Sequence, residues 1–157
     1  MKKKNIYLCL CVFWMIAIFW FSHQQADDSQ GMSDGIIKMI DSLFHINIVE
    51  SGGWVFDTFS FIVRKSAHMS EYALLAILFA LFFKASGYEK YYVIAFVCVI
   101  LYASSDEIHQ LFVRGRSGQI VDVVIDSIGG LLGLWGQQIY FWIVMKRKKV
   151  DKKIADS

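Results

Sequence analysis

The segment Ser104-Ser105-Asp106-Glu107-Ile108-His109-Gln110-Leu111-Phe112-Val113-Arg114-Gly115-Arg116-Ser117-Gly118-Gln119-Ile120-Val121-Asp122-Val123-Val124-Ile125-Asp126 is dense in ionisable groups, yet strongly apolar stretches flank it on both sides. Ionisable side chains are expensive at membrane depth, so those beside an apolar span are functional candidates by default. A second polar cluster, Arg64-Lys65-Ser66-Ala67-His68-Met69-Ser70-Glu71-Tyr72, opens another apolar stretch. The two clusters are expected to face each other near one membrane surface.

The whole composition agrees with a membrane setting. Of 157 residues, 56% are hydrophobic and only 19% charged, and Pro is absent. That is more apolar than an ordinary soluble domain and fits a small all-α, polytopic membrane protein forming a single domain over 1–157. Apolar runs place four spans at about 6–21, 65–84, 91–111 and 120–145, close to the roughly 20 residues a helix needs to cross. The first run follows three lysines and resembles a signal peptide, but no small-residue cleavage pattern follows it, so an uncleaved span is expected. Cys9, Cys11 and Cys98 all fall in apolar runs, without metal-ligand spacing or a disulfide framework, and read as small apolar residues.

Charge sets the expected orientation. Three lysines at the N-terminus, Lys84 and Lys90 in the second loop, and six basic residues from Lys146 to Lys153 account for eleven of the 16 Lys and Arg. Basic residues flanking spans are retained in the cytoplasm, so both termini are expected inside. The segment 22–64 and the turn 114–119 are then outside. This segregation reads as a topology signal and argues against a nucleic-acid partner. Within the outer segment, Ile36, Ile37, Ile40, Leu43 and Phe44 follow helical spacing and predict an amphipathic helix over 34–44. It would lie on the membrane surface or cap the bundle. Ser51-Gly52-Gly53 ends it, and 54–63 is expected to form a further helix leading into span two.

Helical spacing brings the polar groups together at one depth. His68 and Glu71 lie near the outer end of span two. Asp106, Glu107, His109 and Gln110 fill the last turns of span three, and Asp122 and Asp126 the first turns of span four. At about 1.5 Å per residue, all fall in the outer third of the membrane. In span four, Asp122, Asp126, Gly129, Gly133 and Gly136 form one stripe, and small residues so spaced let helices approach closely. Tyr102, Asp106, His109 and Val113 form a stripe in span three, and Lys65, His68 and Tyr72 one in span two. Mutual pairing of these groups to fix helix register is the plain alternative. His23 and His45, in the outer segment, read as surface residues.

The two clusters, followed by Gly115-Arg116 and Asp122 and preceded by Phe21-Ser22-x-Gln24, resemble the VanZ-like family of bacterial membrane proteins over nearly the whole chain. One departure is visible: Arg114 stands where the family often has Pro. The resemblance implies a four-span protein of the cell envelope. It also implies a link to low-level resistance to glycopeptide antibiotics of the teicoplanin type, through the family's founding member.

These readings converge on an outward-facing site for an anionic, amphiphilic envelope component, such as a membrane lipid or a lipid-linked precursor. Guanidinium forks match phosphate oxygens, so Lys65, Arg114 and Arg116 are the expected head-group ligands, with Tyr72, Gln110 and Asp126 beside them. If the component is modified, His68 or His109, oriented by Glu71 or Asp106, is the expected acid or base. Glu107 and Asp122 complete that candidate catalytic set. No Ser or Cys sits in a recognised nucleophile elbow, and no resident cofactor or metal is assigned. A metal-dependent enzyme is the alternative that uses His68, Glu71, Asp106, His109, Asp122 and Asp126 as N and O ligands. A non-catalytic binding module would tolerate loss of His68 or His109 but not of the arginines. A proton path across the membrane is disfavoured, because the polar groups stop in the outer third.

Overall fold

The structure is a computed structural model and describes residues 2–24 and 26–155. Six helices follow one another: α1 (Lys3–Ser22), α2 (Ala26–Phe44), α3 (Ile48–Ser51), α4 (Gly53–Ala85), α5 (Tyr91–Gln110) and α6 (Ile120–Ala155). α1, α4, α5 and α6 are long and apolar enough to cross a membrane. The chain is a polytopic membrane protein with two additional helices, α2 and α3, between its first two spans.

Small residues draw the four spans together. Ala76 and Ala80 of α4 and Ala95 and Ala103 of α5 are buried around Ile18, Leu75, Val99 and Leu134. In lipid, association relies on close packing rather than on hydrophobic transfer, so side chains this short are what a tight bundle needs. α4 and α6 pack backbone to backbone. A Cβ on Gly129 would strike the Met69 carbonyl, and one on Gly133 the Ala73 carbonyl. The stripe Asp122–Asp126–Gly129–Gly133 therefore does face α4. Its last member does not: a Cβ on Gly136 would meet nothing.

Polar ties link α1 to its neighbours. The Trp14 indole donates to the Glu71 carbonyl at 2.9 Å, and the Tyr102 hydroxyl to the Met15 carbonyl at 2.6 Å. The ends of α1, α5 and α6 thus come into register at two faces of the bundle. One is a polar end, where α1 and α5 finish and α6 begins. The other is a basic end, which carries Lys3, Lys84, Lys90 and the Lys146–Lys149 cluster, where α1 begins and α6 runs on to its end.

α4 begins well before the expected span. Its 33 residues extend roughly 50 Å, against about 30 Å of hydrocarbon core. The expected separate helix over 54–63 is the first part of α4, since no Pro or Gly interrupts the chain from Trp54 to Ala85. α2 packs along this extension and starts earlier than expected, at Ala26. The contact face is Ser29, Ser33 and Ile37, which are buried, whereas Ile36, Leu43 and Phe44 stay exposed. Gln30 donates to Ser60 at 2.8 Å, and Ser60 donates to Asp34 at 2.8 Å, which fixes the two helices. Asp41 then accepts the backbone N–H of Ile48 at 2.8 Å and starts α3.

Candidate functional site

At the polar end, α4, α5, the α5–α6 turn and α6 enclose a cavity of about 220 Å³. Arg64, Lys65 and His68 reach it from α4, and Glu107 and Gln110 from α5. Gly115, Arg116, Ser117 and Gln119 come from the turn, and Asp122 and Asp126 from α6. Phe61, Val121 and Ile125 form an apolar wall.

The turn is shaped to deliver Arg116. The Arg116 N–H donates to the Val113 carbonyl at 3.1 Å, and Gly115 has φ 76°. A four-residue turn with positive φ at its third position favours Gly there and tolerates Pro at its second. Arg114 occupies that second position, is exposed and does not line the cavity. Of the expected head-group ligands Lys65 and Arg116 line the cavity and Arg114 does not, while Arg64 joins them there.

Several cavity residues have fixed partners. The Arg116 Nε donates to the Gln24 carbonyl at 3.2 Å, so the chain just after α1 orients the guanidinium. Burial, with the Arg64 guanidinium nearby, holds Arg116 below the usual arginine range. Glu107 accepts the Gln119 N–H at 2.8 Å, which anchors the start of α6 to α5. Lys65 and Asp122 form an ion pair between α4 and α6. Among the described residues, neither Arg64 nor Arg116 forms an ion pair with a carboxylate.

Behind the cavity lies a buried polar layer. The Tyr72 hydroxyl donates to Asp106 Oδ2 at 3.3 Å, and Gln110 Nε2 donates to Ser22 at 3.0 Å. Asp106 Oδ1 and Glu71 Oε2 are buried without a hydrogen-bond partner among the described residues. His68 Nδ1 lies 3.8 Å from Glu71 Oε2, longer than a hydrogen bond.

The candidate residues thus divide into three places. Lys65, His68, Glu107, Gln110, Arg116, Asp122 and Asp126 share the cavity. Glu71, Tyr72 and Asp106 support it from behind. His109 and Arg114 lie elsewhere. His109 turns toward α1, where its Nε2 is 3.1 Å from His23 Nδ1 and its ring packs 4.5 Å from that of Phe19. His23 is exposed, as expected, but has this partner. Two contributors escaped the site assignment: Ser22, which holds Gln110, and Gln24, which holds Arg116. Both belong to the Phe21-Ser22-x-Gln24 motif, which was the available signal. No group of three His, Cys, Asp or Glu side chains converges as metal ligands among the described residues.

Fold and site together define a four-span membrane protein with a mixed-charge cavity at one end of its bundle. The family model described as VanZ/LLP1 matches residues 7–143, and the chain belongs to this family. A search of curated proteins and a search of solved structures found no match.

Proposed function

We propose that the cavity recognises the anionic head group of an envelope amphiphile, with the polar end facing outward and the basic end in the cytoplasm. The observation that carries this reading is the pair of guanidiniums, Arg64 and Arg116, directed into one cavity from two separate segments. Like charges held side by side in a half-buried site repel, and an anion between them offsets that cost. Guanidinium forks suit phosphate oxygens in particular. The carboxylates of Glu107, Asp122 and Asp126 on the other walls suit a head group that also carries hydroxyl or ammonium donors. Engagement of such a component is proposed to lower susceptibility to antibiotics of the teicoplanin type.

The test is lipid retention. Wild-type protein purified in mild detergent is expected to carry an anionic lipid detectable by native mass spectrometry. The Arg64→Ala/Arg116→Ala double variant is expected to lose it. Equal retention by both would rule out the cavity as the head-group site.

A second reading, modification of the bound component, is favoured by one observation. His68 enters the same cavity as the two arginines, with the Glu71 carboxylate 3.8 Å behind its Nδ1. A closer approach of that carboxylate on binding would orient the ring for proton transfer. His68→Ala that keeps lipid retention but abolishes the cellular phenotype would support modification. Retention and phenotype both intact would support binding alone.

A further inference from the structure

The cavity has an apolar wall on one side. α4 and α6 meet backbone to backbone at Gly129 and Gly133. Nearer the polar end, the same two helices are separated by the cavity, and the Lys65–Asp122 ion pair is their tie across it. Phe61 from α4 and Val121 and Ile125 from α6 line the gap. Phe61 is 49% exposed and Val121 62% exposed. Val121 is also the first member of an exposed apolar stripe that continues through Val124, Ile128 and Leu131 down α6. On a helix that spans a bilayer, such a stripe meets lipid chains. Val121 thus belongs both to the apolar wall of the cavity and to the exposed stripe on α6, and the same cavity is lined by Arg64 and Arg116.

We propose that the cavity opens sideways between α4 and α6, and that its occupant is a membrane-resident lipid bearing a phosphate. The phosphate meets Arg64 and Arg116, and the first methylenes of the chain lie on Phe61, Val121 and Ile125. This rests on the head-group reading above and adds the route and the head-group class: the lipid enters sideways from within the bilayer, and its anion is a phosphate. A free phosphate or sugar phosphate would gain nothing from the apolar wall. A chain-bearing one removes that wall from water and keeps its charge beside the arginines.

The test compares dioleoyl phosphatidylglycerol, its dihexanoyl analogue and glycerol 3-phosphate as competitors for binding to the purified full chain. The dioleoyl lipid is expected to bind at least about tenfold more tightly than glycerol 3-phosphate, with the short-chain analogue between them. Val121→Trp, which fills the gap, is expected to shrink the dioleoyl-to-dihexanoyl preference to about twofold or less. Ile125→Trp is the second variant, should Val121→Trp not fold. Glycerol 3-phosphate binding as tightly as the lipid would overturn the lateral route while leaving head-group recognition in place. An unchanged chain preference in both tryptophan variants would do the same. If Arg116→Ala weakens none of the three ligands, head-group recognition fails, and the lateral route fails with it.

Discussion

Lys65 of α4 and Asp122 of α6, 57 positions apart in sequence, form an ion pair at the rim of the cavity. It is the polar counterpart of the glycine contact lower in the same helix pair, and it sets how far the two helices stand apart where the cavity opens. A pair this sheltered, with side chains only 20% and 18% exposed, should couple energetically. Double-mutant cycles on Lys65→Ala and Asp122→Ala, read by unfolding in detergent, are expected to give a coupling of about 0.5–3 kcal/mol. Strict additivity would show that the pair does not act as a unit. Separately, Asp122→Asn is expected to abolish the cellular phenotype while leaving the protein in the membrane.

Gly129 and Gly133 permit the contact that positions both halves of the site. Gly133→Ala places a methyl against the Ala73 carbonyl, backbone that cannot step aside. The expected cost is about 1–3 kcal/mol, seen as a lower unfolding midpoint. Gly136→Ala is the control, because open space surrounds that position. It should be neutral or slightly stabilising in the helix.

The two candidate histidines should behave differently. His68 lines the cavity, whereas His109 packs against His23 and Phe19. His109→Phe keeps an aromatic ring in that stack and is expected to retain the phenotype. Under the modification reading, His68→Ala loses it at unchanged membrane abundance. A phenotype lost with His109→Phe but kept with His68→Ala would move the chemistry to the α1 side of α5.

Ser22 and Gln110 are both buried, and their hydrogen bond joins α1 to α5 directly behind the cavity. Ser22→Ala leaves the Gln110 amide with only a marginal contact at 3.5 Å to Asp106. The expected destabilisation is about 1–3 kcal/mol by thermal unfolding. Ser22→Ala that unfolds like wild type would mean that the Asp106 contact satisfies the amide by itself.

Much of this arrangement was legible in the sequence. Apolar runs located the four long helices, because length and hydropathy alone decide which segments suit a bilayer. The start of α4 was hidden by Arg64-Lys65, which reads as a membrane boundary. Basic residues are nevertheless good helix formers and do not end a helix. For α2, hydropathy pointed to the isoleucines; Ile37 is indeed in the packed face, but its neighbours there are Ser29 and Ser33. Small hydroxyl residues allow close approach without leaving an apolar signature. At the site, spacing grouped Asp106 with His109. Three residues is less than a full turn, so Asp106 reaches Tyr72 of α4 while His109 reaches α1. The roles of Ser22 and Gln24 depend on contacts 88 and 92 positions away, which no local pattern encodes.

The most direct test of the central claim pairs two measurements in the same host cells: membrane abundance and lipoglycopeptide susceptibility of the Arg64→Ala/Arg116→Ala variant. Wild-type abundance is expected together with susceptibility raised to that of cells lacking the protein. Wild-type abundance with unchanged, lowered susceptibility would contradict it, because the two guanidiniums could then not be the groups through which the protein acts.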